Sequence, residues 1–419
     1  MKKYHIVTYG CQMNYSDTER LKSVLESLGF DQASKEDADL VIFNSCSVRQ
    51  KAEDRVYGDM RNLRRERPNV LIGLAGCMVK PGKEEKIVKK MKNLDMAFRP
   101  EDMGDLGEKI QALRPKWNLS VDEGSLGKYF EIHPKVSSKF QVFVPIQTGC
   151  NKFCTYCIVP YARGREKYRD FDEVVDECKL LVSSGAKEIT LLGQTVDSYE
   201  NFPQLLEEID KIEGLNRLRF SSPHPSDFSQ ELIETLARLK TTCPYIHLPV
   251  QSGSNACLRR MNRPYTREKY LDIIRRIRKA IPECAISTDI IVGFCGETEE
   301  EFQESYSLFE EIGFDMVYIS RYSTRKGTYA DRKLKDDIPY ALKAERWHKL
   351  NDLLKKTAKK ANEKYVGREV EVLVEREGMG RSREYKEVHF TGGEVGEIVH
   401  VKVTGAKEWL LEGEIVSPS

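Results

Sequence analysis

The apolar positions of this chain follow two alternating periods. Short apolar runs over Tyr4 to Tyr9, Leu40 to Asn44 and Val70 to Ala75 are each followed by a longer stretch in which apolar residues return every three or four positions, over Ser16 to Leu28, Lys51 to Arg67 and Glu84 to Met91. The first period is that of a buried strand, the second that of a helix with one apolar face. Strand and helix joined by short turns, repeated in this way, predict a parallel sheet flanked by helices across residues 1–112. Residues 113–139 lose the pattern: Pro115, Trp117, Gly124, Gly127 and Pro134 stand among polar neighbours and read as a linker.

From Phe140 the alternation restarts and runs through six units. The strands are Val142 to Gln147, Glu188 to Gly193, Leu218 to Ser221, Tyr245 to Pro249, Ile286 to Gly293 and Met316 to Tyr322, with helical patterns at Asp172 to Ser184, Pro203 to Ile212, Phe228 to Leu239, Arg267 to Ala280 and Thr298 to Ile312. Six units over residues 140–340 are too few to close an eight-unit barrel and predict a partial (β/α)6 barrel, open on one side. A basic connecting helix follows over 341–365, with eight Lys and Arg against three acids, and beside an RNA site it would track phosphates. Over 366–419 strand-type alternation takes over, in Glu369 to Val374, Glu387 to Phe390, Ile398 to Val403 and Trp409 to Val416, which predicts a small antiparallel β-barrel. The expected fold class is α/β: an N-terminal parallel-sheet domain, a central partial barrel and a C-terminal β-barrel.

Composition narrows the function classes. At 419 residues, 40% apolar and 32% charged, the chain is a globular protein of two or three domains, and no apolar run approaches the roughly 18 residues of a membrane span. Met1-Lys2-Lys3-Tyr4 leads directly into a strand pattern, so a cytoplasmic location is expected. A net charge of +1 means that attraction to nucleic acid must come from local patches. The eleven cysteines are poor candidates for disulfides in a reducing compartment, and those with ordered spacing point to metal ligation.

Cys150, Cys154 and Cys157 lie on one short loop at x3 and x2 spacing, directly after the first strand of the partial barrel. Clusters of the 4Fe-4S type normally take four thiolates, so three leave one iron open to a ligand that is not protein. Zinc is the alternative that spacing alone leaves standing. Cys11, Cys46 and Cys77 each follow a strand of the N-terminal sheet, and ligands of open parallel sheets bind beyond carboxyl ends. These three cysteines should therefore converge as a second site, with Gly10 and Gly76 giving the backbone room. Polar residues gather at barrel strand ends as well: Gly193, Gln194, His224, His247, Gln251 and Asp289. Cys178, Cys243, Cys257, Cys284 and Cys295 have no paired spacing and read as packing residues.

Cys150-x3-Cys154-x2-Cys157, with Tyr156 before the last cysteine, resembles the signature of the radical S-adenosylmethionine (SAM) enzymes, and Gly193-Gln194 matches the place where that superfamily receives the amino end of SAM. The strand-rich tail resembles the TRAM domain, an RNA-binding module, although residues 366–419 carry seven basic against eleven acidic side chains, so RNA contact would fall to a patch such as Arg381, Arg383 and Lys386. With the second cysteine set, the whole chain resembles the radical SAM methylthiotransferase family. Tyr9-Gly10-Cys11-Gln12-Met13-Asn14 and Asn44-Ser45-Cys46-Ser47-Val48-Arg49 are similar to its transfer-RNA branch, the MiaB type, as are Met261-Asn262-Arg263-Pro264-Tyr265-Thr266 and Tyr322-Ser323 with Arg325 and Gly327-Thr328. Thr195, Cys295 and Val79-Lys80 depart from the branch's usual residues.

The resemblance implies two 4Fe-4S clusters. One, on Cys150, Cys154 and Cys157, would bind SAM with help from Tyr156, Gly193, Gln194 and Asp289 and generate a radical; the other, on Cys11, Cys46 and Cys77, would deliver sulfur. A second SAM would methylate that sulfur, placing a methylthio group on C2 of N6-isopentenyladenosine beside the anticodon of a transfer RNA. The implied partners are a tRNA anticodon stem-loop, a low-potential electron donor such as flavodoxin or ferredoxin, and a sulfur donor of unknown identity, with the protein a monomer. Threonylcarbamoyladenosine and a ribosomal-protein aspartate are the rival substrates within the family. A two-cluster electron-transfer protein and a zinc-bearing RNA-binding protein are the readings outside it.

Overall fold

The computed structural model describes residues 2–47, 50–117, 119 and 128–416; Val48, Arg49, Gly124 and Gly127 of the sequence patterns lie outside the described residues. The chain forms two compact units that interleave along the sequence. One takes Met1–Ser138, Phe143–Asn151 and Cys157–Arg169; the other takes Lys139–Val142, Lys152–Tyr156 and Asp170–Ser419.

The first unit is built on a five-stranded sheet of β1 (Lys2–Tyr9), β2 (Phe30–Gln32), β3 (Leu40–Ser45), β4 (Leu71–Gly76) and β5 (Met96–Ala97), in the order β2-β1-β3-β4-β5. All its pairings are parallel. Strands β3 and β4 are buried along their whole length, as strands covered by helices on both faces must be. Leu40, Ile42 and Leu71 pack on one face against Leu21, Val24 and Leu25 of α1 (Gln12–Ser27). Val41, Phe43 and Ile72 pack on the other against Val56, Met60 and Leu63 of α2 (Gln50–Glu66). At about 1.5–3 kcal/mol for each buried aliphatic side chain, these two cores hold the sheet's carboxyl edge in place. The edge strands β2 and β5 are three and two residues long, too short for a period to register in the sequence.

Farther along the chain, β6 (Gln141–Pro145) leads to the antiparallel pair β7 (Gln147–Thr148) and β8 (Lys167–Tyr168), which closes the base of the cysteine loop.

The second unit carries β9 (Glu188–Leu192), β10 (Arg217–Phe220), β11 (Tyr245–His247), β12 (Ala285–Val292) and β13 (Met316–Arg321). The partial barrel is split into two three-stranded sheets, β10-β9-β6 and β11-β12-β13. An isolated parallel bridge, Leu218 to Thr242, joins them. A closed barrel follows, of β14 (Glu369–Arg376), β15 (Met379–Ser382), β16 (Glu387–His389), β17 (Ile398–Ala406) and β18 (Leu410–Ile415), ordered β14-β15-β16-β18-β17. Its core is Val370, Val372, Val374, Val388, Val401 and Leu411. Among the described residues no helix is long and apolar enough to cross a membrane.

Candidate functional site

In the first unit, three cysteines collect at one edge. Strand register sets Tyr9 beside Ser45 and Ser45 beside Gly76, so Cys11, Cys46 and Cys77 leave neighbouring strand ends. Cys77 and Cys11 lie close enough for the charge of one to oppose ionisation of the other. Cys46 and Cys77 are buried while Cys11 is exposed. Asn14 orders this edge: its Oδ1 accepts from the Cys11 amide at 3.2 Å and its Nδ2 donates to Asn44 Oδ1 at 3.2 Å. Helix α1 starts at Gln12, earlier than the apolar period indicates, because Cys11 caps it.

The neighbouring glycines give the backbone room against the protein's own atoms. Gly76 has φ +88°, and a Cβ there would stand 2.4 Å from the Ser45 carbonyl; one at Gly10 would strike Asn14. Both let the protein's own segments close around the cysteine edge.

An arginine reaches the same edge. Arg163 donates from Nε to the Cys77 sulfur at 3.2 Å and pairs through Nη2 with Asp17 Oδ2 at 2.5 Å. Tyr129 donates to Asp17 Oδ1 at 2.7 Å, and all three side chains are buried. Burial pushes the Cys77 thiol above its ordinary pKa, and the Arg163 charge pulls it back.

The cysteine loop is held along its length. In the first unit the Cys150 amide donates to the Gly164 carbonyl at 3.1 Å. Gly149, at φ +79°, permits that approach, since a Cβ would fall 2.1 Å from the Arg165 carbonyl oxygen. In the second unit Phe153 takes φ +49°, an uncommon conformation for a non-glycine residue. There Asn262 donates to the carbonyls of Lys152 and Phe153, and Thr155 bonds to the Met261 and Arg260 carbonyls. Arg263 donates to the Cys154 sulfur at 3.4 Å and to the Tyr265 hydroxyl at 2.7 Å. The stretch Met261 to Tyr265 therefore cradles the loop. Tyr156 packs edge-on against Phe294, with ring centroids 6.2 Å apart.

Gly193 is buried and Gln194 half-buried, both directly past the end of β9. Asp289 lies within β12 rather than at its end. Register puts it on one face of β11, β12 and β13 with Tyr245, His247, Ser287 and Tyr318. Its Oδ2 stands 3.4 Å from His247 Nε2. His224 is 5% exposed, and its Nε2 has no hydrogen-bond partner among the described residues.

Arg381, Arg383 and Lys386, the expected RNA patch, are committed to partners inside the second unit. Arg383 donates to the carbonyls of Asn216, Lys240 and Thr242, and Lys386 pairs with Asp315 at 2.7 Å. Arg381 lies over the Tyr385 ring, 4.7 Å from its centroid, and near Glu375 and Glu387. Arg217 and Arg219 return the contact by donating to the carbonyls of Arg381, Ser382 and Arg383. These contacts sit at the amino ends of the barrel strands and engage the Arg383 and Lys386 donors within the unit. In the helix Tyr340–Glu363, Lys343 and Arg346 are likewise buried, on Asp336 and Glu297, while Lys356, Lys359 and Lys360 are exposed. Cys178, Cys243, Cys257, Cys284 and Cys295 are all buried.

Two sets of three cysteines outside any disulfide, each beside a strand end and each with an arginine on one sulfur, suit a cluster whose thiolates bind separate irons. Among the described residues no three Cys, His, Asp or Glu side chains gather around a point that would hold one metal ion.

Comparison with known proteins gives the class first. Residues 144–309 match the Radical SAM superfamily, 3–99 match the Uncharacterized protein family UPF0004, and 363–416 match the TRAM domain. The fold is similar to that of the radical S-adenosylmethionine methyltransferase TsrM from Kitasatospora setae, with a TM-score of 0.56 at 15% identity over 76% of this chain and 73% of that one. This is a radical SAM enzyme. The "tRNA-2-methylthio-N(6)-dimethylallyladenosine synthase" of Clostridium novyi (strain NT) is 41% identical, covering 99% of this chain and 97% of its own. The like-named protein of Geobacillus kaustophilus (strain HTA426) is 41% identical over 99% of this chain and 82% of its own. The chain belongs to this MiaB-type family of methylthiotransferases.

Proposed function

We propose that the protein adds a methylthio group to C2 of N6-dimethylallyladenosine (N6-isopentenyladenosine) beside the anticodon of transfer RNA, and that Cys11, Cys46 and Cys77 hold an auxiliary 4Fe-4S cluster as the sulfur-delivering partner of the SAM-binding cluster on Cys150, Cys154 and Cys157. The observation that carries this reading is the convergence of Cys11, Cys46 and Cys77 on adjacent strand ends, in a chain alike over its whole length to the synthases of that name. When bound, the two clusters and SAM supply a radical able to remove hydrogen from an unactivated carbon, and the sulfur that replaces it.

The chain's own residues supply placement. Arg263 fixes the Cys154 sulfur, and the packing of Tyr156 on Phe294 keeps water from that side of the loop. Gly193 and Gln194 offer a backbone approach and an amide to the amino end of SAM. Asp289, paired with His247, offers a carboxylate to one of its hydroxyls. Lys356, Lys359 and Lys360 give the RNA an exposed cationic row, beside the more enclosed Arg381, Arg383 and Lys386. A low-potential donor such as flavodoxin or ferredoxin brings the electron.

The test is mass spectrometry of transfer-RNA nucleosides after incubation with SAM, sulfide and a reductant. The methylthio derivative of isopentenyladenosine is the expected product, absent with Cys150→Ala. A product formed only on threonylcarbamoyladenosine would move the protein to another branch, and undiminished SAM cleavage by Cys150→Ala would end the cluster assignment.

A further inference from the structure

Arg163 links the edge that carries Cys11, Cys46 and Cys77 to the part of the cysteine loop that lies in the first unit. It lies six positions after Cys157, with its side chain 2% exposed. Its guanidinium is divided between two partners. Nη1 and Nη2 meet the two oxygens of Asp17 at 3.3 and 2.5 Å, and Nε meets the Cys77 sulfur at 3.2 Å. Asp17 is fully buried on α1, the helix that Cys11 caps, and Tyr129 holds its other side. The next residue, Gly164, accepts the amide hydrogen of Cys150. An unbroken path thus runs from Cys150 through the Gly164 carbonyl and the Arg163 side chain to Cys77.

A cation this deeply buried is costly unless it meets negative charge. The Asp17 carboxylate pairs with it and Glu101 lies near enough to act on its charge, yet Nε is aimed at a sulfur as well. Asp17 orients the guanidinium so that a donor and part of a positive charge face Cys77. An N–H donor to a cluster sulfur stabilises the more negative, reduced form of that cluster, and so raises its reduction potential.

We propose that Arg163 is a positioning residue of the auxiliary site, holding the Cys77 sulfur by an Nε–H···S bond and raising the reduction potential of the cluster on Cys11, Cys46 and Cys77, with Asp17 setting how much of its charge reaches that cluster. The inference rests on the reading of those cysteines as cluster ligands. Removing the donor makes that cluster harder to reduce. Lysine keeps the charge but lacks the planar fork that serves Asp17 and Cys77 together, so its effect is intermediate. Removing the Asp17 carboxylate acts in the opposite direction.

The experiment uses the full-length reconstituted protein carrying Cys150→Ala, Cys154→Ala and Cys157→Ala, so that iron and paramagnetic signals report on the auxiliary site alone. Iron content and a potentiometric titration followed by electron paramagnetic resonance are measured with Arg163, Arg163→Met, Arg163→Lys and Asp17→Asn. The expected result is about four irons per chain in the parent, a potential lowered in Arg163→Met, lowered less in Arg163→Lys and raised in Asp17→Asn. Bound iron with an unmoved potential in Arg163→Met overturns the role of Arg163 and leaves the cluster standing. A parent that binds no iron overturns the auxiliary cluster itself. If Arg163→Met binds no iron, the lysine and asparagine variants decide: shifts of opposite sign support the proposal, and unmoved potentials in both overturn it.

Discussion

His224 shows how burial decides the behaviour of a single residue. Loss of water lowers its pKa from the ordinary 6.5 to about 2, and the nearby charges of Arg263 and Lys152 act in the same direction. The unfolded chain takes up a proton below pH 6.5 that the folded one refuses, so stability falls as pH drops from about 6.5 toward 2. In His224→Gln this contribution is gone. Acidification from about pH 6.5 to 5 should cost the wild type about 1.5 kcal/mol more than the variant, read by urea unfolding at each pH; equal losses would show that His224 is charged in the folded state. The sequence marked His224 as polar at a strand end. Nothing in it marked the surroundings that keep the ring neutral, because Lys152 and Arg263 are 72 and 39 positions away (224 − 152 and 263 − 224).

The loop between β15 and β16 carries a prediction about how two elements stay docked. Arg217, fully buried on β10, donates to the Arg381 carbonyl at 2.8 Å and to the Glu371 carboxylate at 2.9 Å. Arg217→Met removes the buried cation from the Glu371 carboxylate and the donor from the Arg381 carbonyl, and should cost about 3 kcal/mol. Limited proteolysis ought then to release the C-terminal barrel faster, while the iron content stays at the wild-type level. A release rate equal to wild type would mean that the other contacts at this seam suffice. In the sequence Arg381, Arg383 and Lys386 read as a free basic patch, since opposite charges on distant segments leave no local trace. Strand β15 leaves no mark in the sequence for a related reason: Met379-Gly380-Arg381-Ser382 has no apolar alternation, and it is a strand because β14 and β16 pair with it.

For the enzyme as a whole, the separate roles proposed for the two cysteine sets predict separable failures. Cys46→Ala should still cleave SAM, measured as deoxyadenosine released, and make no methylthio product. Normal thiolation by this variant would remove the auxiliary cluster from the reaction.

What the sequence determined by itself was whatever acts over a few positions: the alternation of strand and helix, the three-cysteine loop, and the strand ends that carry Cys11, Cys46 and Cys77. These follow from backbone periodicity and from the chemistry of thiols, both local. Tertiary structure alone decided which charges meet. Arg163 finds Asp17 from 146 positions away and Cys77 from 86, and the cations of the C-terminal barrel serve its docking. The physical reason is that a buried ion pair is selected by the complete arrangement that removes both groups from water, and no short stretch of chain contains that arrangement.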